Sequence, residues 1–245
     1  MNINKYQEMD SLEKFHWWFV YRQNILKFIL KKYLFNMGKD AKIVDIGCGT
    51  GGNIQLLNEK YDNITGIDNN EFAIKYCKDK NLNNILQGEL PNQIDIADNS
   101  VDLVLLFDVL EHVEDDNLSL SVLKNKLKSG GFLLLTVPAF SFLWSQHDED
   151  FHHKRRYNIK QIKKMLGTLD FKIIKSSYIY FCLFPFVLFM RLLKKIFKNY
   201  SLKDDFKLNN MFLNSLIIKF LSLEKVLFNY IDFPWGSSIL VLAKK

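Results

Sequence analysis

K-I-V-D-I-G-C-G-T-G-G, residues 42–52, decides how the rest of the chain is read. Ile43, Val44 and Ile46 make a short apolar run suited to a strand buried on both faces of a parallel sheet. Gly47, Gly49 and Gly51 then arrive at alternate positions, and residues 53–59 can begin a helix. A strand, a glycine turn and a helix N-terminus together form a cradle for a polar ligand. Glycine lets the backbone come close, and the free N–H groups at the helix start favour negative charge.

Two ligand chemistries compete for this cradle. Gly47, Gly49 and Gly52 satisfy G-x-G-x-x-G, the dinucleotide fingerprint, which by itself points to an NAD-dependent oxidoreductase. Asp45, set before the first glycine, points elsewhere: a carboxylate there suits a ligand that brings an ammonium group rather than a pyrophosphate. With that acid the stretch resembles motif I of the class I S-adenosylmethionine (SAM) dependent methyltransferases, where D-x-G-x-G-x-G is usual. The resemblance implies an α/β, Rossmann-like sheet of seven strands with the last antiparallel and helices on both faces. It also implies SAM as cofactor, held in part by Asp45, Gly47, Cys48 and Gly49.

Downstream residues extend the pattern. Residues 63–68, N-I-T-G-I-D, read as a second strand. Its terminal Asp68 lies about twenty residues past the glycines, the spacing of an acid that holds ribose hydroxyls, with Asn69 beside it. Residues 84–87 read as a third strand, followed by Glu89 and Leu90, where family members place a residue against the adenine. Residues 100–107 are a strongly apolar fourth strand that runs into D-V-L-E-H-V at 108–113. This segment looks like motif IV of the same family and adds Asp108 and Val109 to the cofactor side. His112 reads either as a base that positions the acceptor or as part of a capping network. Residues 118–127 predict a helix stopped by Ser129-Gly130-Gly131, and residues 132–137 a fifth strand.

The loop at 138–157, P-A-F-S-F-L-W-S-Q-H-D-E-D-F-H-H-K-R-R-Y, is long, aromatic and rich in ionisable groups, and long loops at a sheet edge usually carry function. As an acceptor site it offers His147 with Asp148 as a base pair and Arg155 and Arg156 with Lys154 for an anionic group. Trp144, His152 and Tyr157 would make further acceptor contacts. His147, Asp148, His152 and His153 match no standard metal spacing, and no metal is expected. A W-S-x-H-D…H-x-R-R-Y run recurs here in the bacterial branch that the chain resembles. That branch also shares the H-W-W-F block at residues 16–19 and is associated with surface-glycan or lipid modification. Residues 11–37 read as a helical lead-in. His16, Trp17 and Arg22 are either its packing or its contacts with cofactor or acceptor.

Three regions follow: an N-terminal flap at 1–38, a SAM-binding core at 39–180 plus 237–245, and a helical insertion at 181–236. Residues 171–180 and 237–243 read as the sixth and seventh strands. The apolar stretch at 181–190 is well short of the ~20 residues of a spanning helix. Arg191, Lys194, Lys195 and Lys198 interleave with apolar residues, so residues 181–200 are either a peripheral membrane contact or a cap on the sheet.

Composition agrees with a folded enzyme. Of 245 residues, 48% are hydrophobic, enough for a sizeable core, and the net charge of +6 is spread along the chain. No nucleic-acid partner is expected from so diffuse a charge. Cys48, Cys77 and Cys182 form no C-x-x-C pair, which fits a reducing cytosol. The polar start is no signal peptide, so the expected place is the cytoplasm or the inner membrane face. The expected activity is methyl transfer to the oxygen of a sugar, glycan, lipid-linked or phosphate-bearing acceptor. The competing readings are the oxidoreductase and a non-catalytic membrane adaptor.

Overall fold

A computed structural model describes residues 3–196 and 211–245. Two helices, α1 (Ile3–Glu13) and α2 (Trp17–Tyr33), precede the first strand, β1 (Ile43–Ile46). Then come α3 (Gly52–Leu57), β2 (Ile64–Asp68), α4 (Glu71–Asp79), β3 (Ile85–Gln87), β4 (Val101–Phe107), α5 (Asp116–Lys126) and β5 (Leu127–Pro138). The chain continues through α6 (Gln146–Asp150), α7 (Ile159–Thr168), β6 (Lys172–Ile179), α8 (Phe184–Ile196), α9 (Met211–Phe228) and β7 (Ser238–Lys244). The sequence merges the two leading helices into one; His16 separates them by capping α2, its side chain accepting from the Trp18 N–H.

The strands form one sheet in the order β3-β2-β1-β4-β5-β7-β6. β7 runs antiparallel to both of its neighbours, and the other pairings are parallel. Every residue of β1 is buried, as its apolar run requires. From β1 the chain winds outward to β2 and β3, then returns to β4 on the other side of β1. That reversal opens a crevice beyond the carboxyl ends of β1 and β4, the place where open α/β sheets hold ligands.

One local expectation is revised. Gly130 and Gly131 do not separate α5 from the fifth strand; β5 begins at Leu127, directly after the helix. Pairing with β4 shifts register between Val101 and Leu103, and Gly130 takes φ +80° in this bulge, a conformation open to glycine.

The N-terminal helices and the insertion pack together. Tyr21 Oη donates to Glu224 Oε1 at 2.6 Å, and the Cys182 N–H donates to Glu224 Oε2 at 2.9 Å. Asn214 accepts from the Trp17 N–H and donates to the Phe15 carbonyl. Lys175, on β6, donates to the carbonyls of Phe228, the last residue of α9, and of Ile231 just past it. Lys198 lies outside the described residues, as do the side chains of Lys194 and Lys195. Among the described residues no helix is long and apolar enough to cross a membrane.

Candidate functional site

The glycine turn takes the shape its composition permits. Gly47 has φ +69°, and a Cβ there would lie 2.3 Å from Val109 Cγ2. Close approach at this one position brings the 42–52 stretch against the D-V-L-E-H-V segment. Asp68 closes the turn from β2: its Oδ2 accepts from the Gly49 N–H and its Oδ1 from the Asn70 N–H, both at 2.9 Å. Asn69 is exposed beside it.

Asp45 is only 1% exposed. Its Oδ2 takes a long bond from Asn53 Nδ2 at 3.4 Å, and its Oδ1 has no partner. Burial pushes its carboxyl up to about 7, against the pull of the nearby Arg22 guanidinium. Asp68 adds to that rise, so the two carboxylates feel each other across the turn. A buried carboxylate oxygen without a donor suits a ligand that brings an ammonium group.

Arg22 reaches the same place from α2. Its Nη1 donates to Asp108 Oδ2 at 3.0 Å, its plane lies over Trp18 at 4.4 Å, and its buried Nε has no partner. Asp108 sits at φ +55° at the end of β4, and the Thr136 hydroxyl donates to its other oxygen.

Helix α1 covers the turn. Met9 lies over Gly49, and the Glu13 carboxylate comes within 2.7 Å of where a Cβ at Gly52 would stand. Asp10 pairs with Lys80, which also donates to the Thr50 carbonyl. Tyr6 is buried; burial raises its phenol, and the Asp68 charge adds to the rise. Sequence reasoning missed these residues, although Tyr6, Met9, Asp10 and Glu13 fall at i, i+3, i+4 and i+7, one face of a helix.

On the acceptor side the structure revises several roles. Asp148 does not pair with His147. It is fully buried and accepts from Arg156 Nε and Nη2 at 2.7 and 3.0 Å, while His153 Nδ1 lies 2.9 Å from its Oδ1. Burial alone would raise this carboxyl, but the bonds from His153 and Arg156 hold it well below the usual range. Arg156 is therefore engaged inside the loop. Arg155 is too, donating to the carbonyls of Val113 and Glu114 and pairing with Asp116. Both guanidinium groups are thus already paired within the protein. Tyr157 is buried, with its hydroxyl on Asp116 and the Leu110 carbonyl, so its ring offers no stacking face.

Other expected contacts fall in different places. His16 is 1% exposed and acts as a cap, while Trp17 packs its edge on Tyr180. Leu90 is buried and Glu89 exposed, its backbone paired with Gln93. Trp144 is exposed, its indole N–H on Glu149, and His152 is exposed at the loop tip. The His147 ring lies 4.4 Å from that of Phe151, tilted by 38°.

The Lys154 N–H donates to the Glu111 carbonyl, which pins the 138–157 loop to the D-V-L-E-H-V segment. The result is a cluster of Glu111, His112 and His153 that the sequence did not bring together. Burial pushes the His112 imidazole down to about 4, with His153 nearby adding to the drop, so it is neutral at ordinary pH.

Residues 44–135 match the family described as a methyltransferase domain. The chain is 26% identical over 139 residues to a probable S-adenosylmethionine-dependent methyltransferase of Mycolicibacterium smegmatis, covering 56% of this chain and 53% of that one. It is 28% identical over 155 residues to a ubiquinone biosynthesis O-methyltransferase of Rickettsia bellii, covering 56% and 63%. The chain thus spans between half and two thirds of the length of these curated relatives. Among solved structures, a SAM-dependent methyltransferase from Archaeoglobus fulgidus superposes with TM-score 0.59 at 22% identity, covering 97% of this chain and 99% of that one. A phosphoethanolamine N-methyltransferase from Haemonchus contortus, solved with S-adenosyl-L-methionine, gives 0.56 at 16% identity, covering 85% and 49%.

Proposed function

We propose that this chain, a class I SAM-dependent methyltransferase by its matched domain and its fold, methylates a hydroxyl oxygen on a sugar, glycan or lipid-linked acceptor. The observation that carries the reading is Asp45: a fully enclosed carboxylate with one oxygen unpartnered, one strand from Asp68 across a glycine turn. A dinucleotide pyrophosphate would meet repulsion there; an α-amino group would complete the bonding.

SAM supplies a methyl group already activated by its sulfonium charge. The residues of the chain are left to bind, align and dehydrate. Asp45 would take the ammonium group, Asp68 the ribose hydroxyls, and Arg22, through its unpartnered Nε, the carboxylate end. Helix α1, lying over the turn, would exclude water. A hydroxyl acceptor must lose a proton, and the Glu111, His112 and His153 cluster is where the chain would handle it.

The O-methyl choice draws support from the ubiquinone-pathway relative, whose name specifies an oxygen acceptor. The phosphate-bearing arm loses its support, because Arg155 and Arg156 are engaged internally. Peripheral contact with an anionic lipid surface is supported by the exposed apolar side chains of α8 and α9, Phe186, Phe189, Phe212 and Phe220 among them.

The test is a single-turnover assay with methyl-labelled SAM and cell lipid and glycan extracts. Label in an alkali-stable ether product is the expected result. Calorimetric titration with S-adenosylhomocysteine and with NADH separates the competing chemistry: binding of NADH alone would sink the reading.

A further inference from the structure

We propose that Glu111, His112 and His153 form a binding site for a divalent first-row transition-metal cation. Each offers one ligand atom, and the three atoms lie within 4.8 Å of one another.

Glu111 makes the strongest demand. Its side chain is fully buried, and among the described residues nothing but its own backbone N–H comes near enough to its carboxylate to donate. Ionised, it lacks a bonded counter-charge, because the Arg156 guanidinium is taken by Asp148. A cation would supply the missing counter-charge.

His153 points the same way. Its Nδ1 sits 2.9 Å from Asp148 Oδ1, an oxygen that also accepts from Arg156. An ionised carboxylate only accepts, so Nδ1 donates to it, and Nε2 is turned toward Glu111 Oε1 at 4.0 Å, a distance too long for a hydrogen bond. Ligand bonds of about 2.0–2.2 Å place neighbouring donors about 3.0–3.6 Å apart around one ion, so a cation would draw the two side chains together by a few tenths of an ångström.

A carboxylate that holds the far nitrogen of a histidine is also the usual outer support of a metal-bound imidazole. The His112 ring meets that of His153 edge to face at 4.7 Å. Two imidazoles and one carboxylate suit Zn²⁺, Mn²⁺ or Fe²⁺ rather than the all-oxygen cations. The sequence expectation of no metal weighed His147, Asp148, His152 and His153; only His153 of that set belongs to the site. Three protein ligands leave coordination open for an oxygen. Only the ion's role, holding the acceptor hydroxyl, rests on the methyltransferase reading.

The test uses the full-length chain stripped with a chelator. Calorimetric titration with Zn²⁺ and Mn²⁺ is expected to show one ion per chain, with Mg²⁺ at least tenfold weaker. Glu111→Gln and His153→Ala are expected to weaken Zn²⁺ binding at least tenfold while S-adenosylhomocysteine still raises the melting temperature of each variant. X-ray absorption on the Zn²⁺-loaded parent, which needs no variant to fold, is expected to show imidazole scattering. No stoichiometric ion, equal affinity in the folded variants, or a spectrum without imidazole would each overturn the site. Loss of the S-adenosylhomocysteine response in the parent with metal binding intact would instead overturn the methyltransferase reading.

Discussion

Asp45 is the residue on which the proposed cofactor recognition turns, and its environment makes that testable. Burial lifts its carboxyl to about 7 in the ligand-free protein, from an ordinary 3.8. An ammonium ligand needs the ionised form. Affinity for S-adenosylhomocysteine should therefore rise as pH increases toward 7 and level off above it, changing by up to about tenfold per pH unit on the acidic limb. Stability of the ligand-free protein runs the other way: the contribution of Asp45 is complete below about 4 and lost as pH rises through about 7. Calorimetry across this range checks the first trend, and urea unfolding the second. Asp45→Asn should weaken binding by roughly ten- to a hundredfold and remove the acidic limb. Arg22→Met should move the rise in affinity to higher pH, because the guanidinium helps to keep Asp45 ionised.

Two elements carry predictions of their own. Helix α1 lies over the glycine turn, and on the proposed reading it lifts to admit the ligand. Asp10→Ala removes its ion pair with Lys80, a partly exposed contact worth about 1 kcal/mol or less. Stopped-flow association of S-adenosylhomocysteine should then quicken a few-fold. Helix α9 is tied to the N-terminal helices by Glu224, fully buried, with one oxygen on Tyr21 and the other on the Cys182 N–H. Glu224→Ala strands both donors and should lower stability by about 3 kcal/mol in urea unfolding, with S-adenosylhomocysteine affinity retained under native conditions.

At the scale of the whole molecule, α8 and α9 expose a run of large apolar side chains: Phe186 at 64%, Phe212 at 78% and Leu223 at 64%. Apolar area of this extent on one region usually marks a contact surface. Flotation with vesicles of anionic phospholipid should carry the parent protein upward, and Phe186→Ser with Phe212→Ser should reduce the floated fraction several-fold. A parent that stays at the bottom of the gradient would remove the lipid contact.

The sequence by itself determined the strand–turn–helix unit, the order of the strands along the chain and the two acids flanking the glycine turn. These features depend on neighbours in the chain: apolar runs, glycine at positive φ, a carboxylate at a strand end. Tertiary structure decided what each charged group of the 138–157 loop faces. The run of histidines, acids and arginines is equally compatible with an anion site, a base pair or a metal site until the loop folds back on residues 108–116. Only then is Arg156 committed to Asp148, His147 left outside that pair, and Glu111 enclosed beside His112 and His153. Lys154 and Arg155 meet Glu111 and Val113 across some forty residues, and no local spacing encodes those contacts.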